Sequence, residues 1–175
     1  GGGISTNNKK IFNNILNLKH LGTSYKNPEV AINIEGNHKF DELHAYLLME
    51  NYKNLNKEIN ARKKLINYYL KLLKNKPYVN YLNKDYKYST CYDFQVIFNG
   101  KRNSLKKYLL RNSIETRVKH PIIMPHQKIF KKTNSLFPNA EMIVKNSLSL
   151  PLHNKLKNQD IEKIIDKIDK FYGII

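Results

Sequence analysis

Leu48, Tyr52, Leu55, Ile59, Ile66, Tyr69 and Leu73 recur at three- and four-residue steps or their multiples, the spacing that collects apolar side chains on one side of an α-helix. Asp41 stands just ahead of this stretch with Glu42 beside it, so carboxylates meet the free N–H groups and the positive end of the helix dipole. The spacing predicts a long helix reaching about Lys74 and stopped by Pro77. Towards the N-terminus, Gly1-Gly2-Gly3 reads as a turn running into a short strand at Ile4-Ser5-Thr6, and Asn7-Asn8 caps a helix carrying Ile11, Phe12, Ile15 and Leu16. Residues 20–37 show neither period and are predicted as mostly loop.

Beyond Pro77 the period changes. Tyr92, Phe94, Val96 and Phe98 alternate with Asp93, Gln95 and Ile97, which predicts a strand with one face buried, ended by the turn pair Asn99-Gly100. Ser104 is placed to cap a helix carrying Leu105, Tyr108 and Leu109. Ile114, Thr116 and Val118 then alternate with Glu115, Arg117 and Lys119, a second strand leading into His120-Pro121. Pro138 and Glu141 mark the start of a short helix, and Asn158 caps a last helix with a stripe of Ile161, Ile164, Ile165, Ile168 and Phe171. Helix, strand, helix, strand is an α+β order: a short antiparallel sheet covered by helices. No internal repeat and no low-complexity tail interrupts it.

At 175 residues the chain suffices for one compact domain, or for a small domain carrying a piece of a larger neighbour. It has no apolar run long enough to span a membrane and no charged-then-apolar leader, and because it opens on Gly1 we expect its natural start to lie upstream. Cys91 is the single cysteine, and the six histidines are scattered without partner cysteines, which speaks against a disulfide framework and a zinc site and for a reducing cytoplasm. The net charge of +17 raises the question of a nucleic-acid partner. Nearly all of it is lysine spread along the chain among Asn, Ile and Tyr, as an AT-rich coding sequence would produce. The arginines that would dominate bidentate recognition are only Arg62, Arg102, Arg111 and Arg117. Nucleic acid is therefore set aside as the partner, while the positive surface still suits a diphosphate.

Four stretches, in this order, carry a resemblance to a known family: Gly2-Gly3-Ile4-Ser5-Thr6-Asn7; Gly36-Asn37-His38-Lys39-Phe40-Asp41-Glu42-Leu43-His44-Ala45; Ser113 to Pro121 with Pro125-His126; and Phe137-Pro138-Asn139-Ala140-Glu141 followed by Leu148-Ser149-Leu150-Pro151. Together they resemble the C-terminal part of the DegT/DnrJ-type nucleotide-sugar aminotransferases, which depend on pyridoxal phosphate. The resemblance implies the C-terminal small domain of a fold-type I transferase plus a remnant of the large α/β domain. It divides the chain into residues 1–38 as that remnant, 39–76 as a linking helix and 77–175 as the small domain.

The resemblance gives Asn37 a role at the cofactor phosphate of the other subunit of a homodimer, an amide donor being suited to a phosphate oxygen. Lys39 stands where the family usually has arginine, keeping the charge without the planar fork, and is a candidate substrate contact. His120 and His126 fall at the mouth of the active site, near the nucleotide sugar. For Asn37 the plain alternative is a turn residue after Gly36, and for the histidines a hydrogen-bonded loop position. Arg62 is read as tying elements together, and the Pro-Asn-Ala-Glu and Leu-Ser-Leu-Pro pairs as fold markers.

The family's catalytic lysine, which binds the cofactor and moves the proton, and its aspartate for the pyridine nitrogen lie before the position matching Gly1. No catalytic residue is therefore expected within the chain, and Lys9 and Lys10 fall on the wrong side of the glycines. For the intact protein the resemblance implies amino transfer from glutamate to a nucleotide-linked keto sugar, in lipopolysaccharide or similar glycan synthesis. The alternatives are a sugar dehydratase of the same family, with histidine in place of the lysine, a basic nucleic-acid-binding domain, or a scaffold module.

Overall fold

Hydrogen bonding in the second half of the chain is organised by a three-stranded antiparallel sheet in the order β1 (Val79–Leu82), β2 (Phe94–Phe98), β3 (Ser147–Leu150). The computed structural model describes residues 2–24, 26–34, 36, 38–82, 85–130 and 136–174. Two compact units make up the chain, Gly1–Asn54 and Leu55–Ile175.

In the first unit, α1 (Lys9–Lys19) begins where expected: the Asn8 side chain accepts from the backbone N–H of Lys10 at 3.0 Å and of Ile11 at 3.1 Å. Gly22 then turns the chain with φ +70°, and a Cβ there would lie 2.1 Å from the Asn33 carbonyl oxygen, so this turn requires glycine on both counts. The turn brings Thr23 and Ala31 into a single antiparallel bridge. The strand expected at Ile4-Ser5-Thr6 does not form: a strand exists through pairing, and among the described residues none lies alongside it. Apart from Gly22, no described residue of this unit is buried.

The long helix α2 (Glu42–Leu73) starts after Asp41, whose carboxylate accepts from the His44 backbone N–H at 2.8 Å and also meets the His44 ring. These contacts hold the Asp41 carboxyl below its ordinary range, the backbone N–H contributing most. The helix ends at Leu73, within a residue of the expected stop. Its last turns bury Leu65, Ile66, Tyr69 and Leu73 in the core of the second unit.

That core packs the sheet against α2, α3 (Arg102–Arg111) and α5 (Asn158–Tyr172). Tyr69 stacks on Phe94 at 4.8 Å between centroids, and its hydroxyl donates to the Pro151 carbonyl at 3.0 Å. Ile161, Ile164, Ile165 and Ile168 are buried as the stripe predicts. Beside them Asp169, 6% exposed, accepts from the Tyr78 hydroxyl at 2.7 Å and from the Lys76 ammonium at 2.8 Å. Tyr172 stacks on Tyr78 at 4.7 Å and donates to the Gly100 carbonyl at 3.1 Å, so the end of α5 is tied to the start of the sheet.

Five further expectations are corrected. Asn158 is the first residue of α5 and not its cap, the cap position being Lys157. Ile97 is buried as well as Phe94, Val96 and Phe98, so β2 is covered on both faces, as the middle strand of a small sheet must be when helices flank it. Lys101, in the left-handed region at φ 55°, precedes α3 without a side-chain cap, and Ser104 lies inside the helix. The strand expected over residues 114–119 shrinks to one bridge, in which Arg117 and Ser149 exchange backbone hydrogen bonds at 3.1 and 2.9 Å. Ser113 at φ 59° bends the chain before this segment, and Pro121 has no N–H with which to extend the ladder beyond it. The strand paired to β2 is instead the Leu-Ser-Leu segment read as a fold marker, in the register Phe94↔Leu150 to Ile97↔Ser147. Arg62 bonds Glu58 one turn back at 3.3 Å, a contact inside α2 and not a tie between elements.

Candidate functional site

The segment after the Arg117–Ser149 bridge carries the candidate residues of the second unit. The bridge puts Arg117 on the outer edge of β3, so Lys119, two residues on, returns to the side of Asp93, which immediately precedes β2. Asp93 Oδ2 accepts from Ser149 Oγ at 3.0 Å and lies 3.4 Å from the Lys119 ammonium, which sits 4.8 Å over the Tyr92 ring. Lys119 is thus held by a carboxylate on one side and an aromatic face on the other. His120 follows and is exposed.

From Pro121 the chain descends to a 3-10 turn, Met124–His126, with Ile123 buried beneath it. His126 is exposed and lines a cavity of about 300 Å³ together with Arg102, Pro121, Glu141 and Lys145. Arg102 donates from Nη1 to the Ser147 carbonyl at 3.0 Å, while its Nε is buried without an acceptor. Burial draws the Arg102 guanidinium below its ordinary pKa. A second, wider groove of about 860 Å³ runs between the 112–117 segment and α5; its wall includes Thr116, 8% exposed, whose Oγ1 is buried without a partner.

The candidates are therefore divided. His120 and His126 belong to one short segment in the second unit, with His126 at the Arg102 cavity. Lys39 is exposed ahead of α2 in the first unit, and Asn37 lies outside the described residues. Lys9 and Lys10 are exposed in the first turn of α1. Sequence reasoning missed Arg102, Asp93 and Tyr92, because each gains its meaning from cross-strand register or burial. The one available signal was the alternation that turned Asp93 and Lys119 away from the apolar faces. Among the described residues no group of His, Cys, Asp and Glu side chains is placed to hold a metal ion, and no helix is long and apolar enough to cross a membrane.

The second unit is a small α+β domain, a three-stranded antiparallel sheet with helices, into whose core the end of α2 packs. The solved structures that the chain resembles have the same fold: a DegT DnrJ EryC1 StrS aminotransferase from Brucella abortus superposes with TM-score 0.78 at 23% identity, covering 96% of this chain and 45% of that one. PseC of Helicobacter pylori, an aminotransferase of pseudoaminic acid biosynthesis, superposes with TM-score 0.79 at 18% identity over 97% of this chain and 48% of that one. The chain belongs to the DegT/DnrJ/EryC1/StrS aminotransferase family, which it matches over residues 1–169. It is 23% identical over 172 residues to the dTDP-3-amino-3,6-dideoxy-alpha-D-galactopyranose transaminase of Aneurinibacillus thermoaerophilus, and 26% identical over 179 residues to a pleiotropic regulatory protein of Geobacillus stearothermophilus. It spans about half of these curated relatives, 47% of each.

Proposed function

We propose that the intact protein is a pyridoxal-phosphate-dependent aminotransferase that moves an amino group from glutamate to a nucleotide-linked keto sugar, as a cytoplasmic homodimer supplying lipopolysaccharide or a similar glycan. The observation that carries this reading is the family match over residues 1–169, beside the likeness to a curated relative named as a dTDP-amino-sugar transaminase. When bound, the cofactor would supply the electron sink for moving a proton at the amino-bearing carbon. The residues of this chain would do the holding. The Lys39 ammonium has the chemistry a phosphate group asks for, and Asn37 would add an amide donor. Lys119 would present a positive charge, fixed by Asp93 and Tyr92, beside His120 where the substrate's diphosphate arrives.

The exposed apolar side chains of the first unit agree with this proposal. Leu43, Tyr46, Leu48, Met49 and Tyr52 of α2 are 57 to 73% exposed, and a helix with apolar residues on several sides is normally buried. In the proposed dimer the large domain and the partner subunit would cover them. By the resemblance, the family's cofactor-binding lysine falls outside these 175 residues, so this chain on its own is expected not to transaminate. Reading the codons immediately before Gly1 tests the proposal. A lysine a few residues ahead of the glycines supports it, histidine there means the sugar dehydratase, and a start codon directly before Gly1 overturns the enzymatic reading.

A further inference from the structure

The cavity beside the 3-10 turn includes His126, which the aminotransferase reading puts near the nucleotide sugar, but the rest of its chemistry is not assigned by that reading. Its least exposed charged group is Arg102, whose Nη1 is committed to the Ser147 carbonyl, 3.0 Å away. A guanidinium is a rigid fork, so this bond leaves the opposite edge, Nε with Nη2, as the pair that can grip two oxygens of one group side-on. Nε is buried and has no acceptor in the protein, a costly state for a charged donor unless something arrives to accept its proton. The depressed pKa of Arg102 reports the same condition, a cation taken partly out of water without a counter-ion.

The rest of the wall favours an anion. Lys145 in the last turn of α4 (Pro138–Asn146) and the His126 ring stand on the rim, against a single acid, Glu141. Glu141 is exposed and makes no ion pair with Arg102. At about 300 Å³ the cavity admits a carboxylate or a phosphate group with a few attached atoms.

We propose that this cavity is an oxyanion-binding site in which Arg102 holds a carboxylate or phosphate group through Nε and Nη2, with Lys145 and His126 lending charge at the rim. Two sources of that chemistry exist, a phosphate-bearing ligand and a dicarboxylic acid, and the test separates them. The 15N-labelled 175-residue chain is titrated with sodium pyrophosphate and, in a parallel series, with sodium glutarate, at ionic strength held constant with sodium chloride. The Nε–Hε signals of the four arginines are followed by NMR.

The Arg102 signal should move saturably with one of the two anions while Arg62, Arg111 and Arg117 move little; pyrophosphate alone identifies a phosphate ligand and glutarate alone a carboxylate. Lys145→Gln, a change at an exposed position that leaves the core intact, should weaken the binding about two- to fivefold, the effect of losing one exposed charge. Arg102→Lys, which keeps the charge and loses the fork, should abolish saturation. If Arg102→Lys disturbs the fold, the wild-type Arg102 signal and Lys145→Gln decide. Shifts that rise without saturation at many basic residues would mean diffuse attraction by a chain of net charge +17 and would overturn the proposal. So would saturable binding that both variants leave unchanged.

Discussion

Asp169→Ala should be among the most damaging single changes at a polar position in the second unit. The carboxylate is 6% exposed and accepts two hydrogen bonds, from a tyrosine hydroxyl at 2.7 Å and a lysine ammonium at 2.8 Å. A hydrogen bond to a charged group contributes about 1.5–3 kcal/mol, and a buried donor left without a partner costs about 1–3 kcal/mol more. The Tyr78 hydroxyl, on a side chain 3% exposed, would be left in that state, whereas Lys76, 26% exposed, can swing into water and recover most of its hydration. The sum is about 2.5–6 kcal/mol. Tyr78→Phe removes the donor together with the bond and leaves Lys76 on the carboxylate, so it should cost about 1–2 kcal/mol.

The chain has no tryptophan and twelve tyrosines, so urea unfolding followed by tyrosine fluorescence and near-ultraviolet circular dichroism reads this packing directly. With a urea slope of about 2 kcal/mol per molar, Asp169→Ala should lower the midpoint by about 1.3–3 M and Tyr78→Phe by about half a molar to 1 M. In the double variant the two costs should fall short of adding, because both break the same bond. A midpoint lowered by less than 0.3 M in Asp169→Ala, or full additivity with Tyr78→Phe, would refute the clamp between α5 and the sheet.

The buried tyrosines predict an alkaline limit. Burial first, and then the bond to Asp169, raises Tyr78 well above the usual tyrosine range; burial raises Tyr69 as well and pushes Tyr172 up to about 12. Folded values above the unfolded one mean that this stability is complete below about pH 10 and is lost as pH rises past it. The loss is about 1.4 kcal/mol per pH unit for each of Tyr69 and Tyr78, and melting temperatures between pH 9 and 12 check it; a flat profile there contradicts it. Phe94→Ala empties a fully buried site stacked on Tyr69 and should cost about 3–5 kcal/mol in the same urea assay, against less than about 1 kcal/mol if the core is not formed as described. The uncovered apolar residues predict that the chain by itself binds a hydrophobic dye and self-associates as concentration rises, and that Leu48→Glu with Tyr52→Glu reduces both in dye fluorescence and sedimentation; unchanged values would mean that this face is not responsible. Duplex DNA should show no saturable binding at about 0.15 M salt, and a nanomolar, steeply salt-dependent complex would revive the nucleic-acid reading.

Helices were legible because their signals are local. The Asn8 and Asp41 caps, Pro138 at the start of α4 and the isoleucine stripe of α5 each lie within a turn or two of what they specify. Strands were legible only in part. β2 announces itself by alternation, but whether residues 114–118 or 147–150 lie beside it depends on register and on which backbone bends first, and Ser113 with φ 59° and Pro121 are the residues that turn the first of these segments aside. β1 escaped because its four residues pair with β2 across an irregularity between Val79 and Tyr81, which blurs the alternation. Of the site, the His120 and His126 segment was visible as a motif. The fixing of Lys119 by Asp93 and Tyr92, and the unpaired Arg102 Nε, arise from residues 26 to 45 positions away in the chain and leave no local trace.

The measurement that tests the account most directly follows nitrogen. The protein translated from the full reading frame containing these residues is incubated with pyridoxal phosphate, 15N-glutamate and a dTDP-linked keto sugar, and the sugar nucleotide is weighed by mass spectrometry. The product should carry 15N in place of the keto oxygen, and it should be lost when Asn37→Ala and Lys39→Ala are combined. A product that has lost a hydroxyl without gaining nitrogen, or a sugar recovered unchanged from folded, cofactor-supplied protein against several keto sugars, would contradict it.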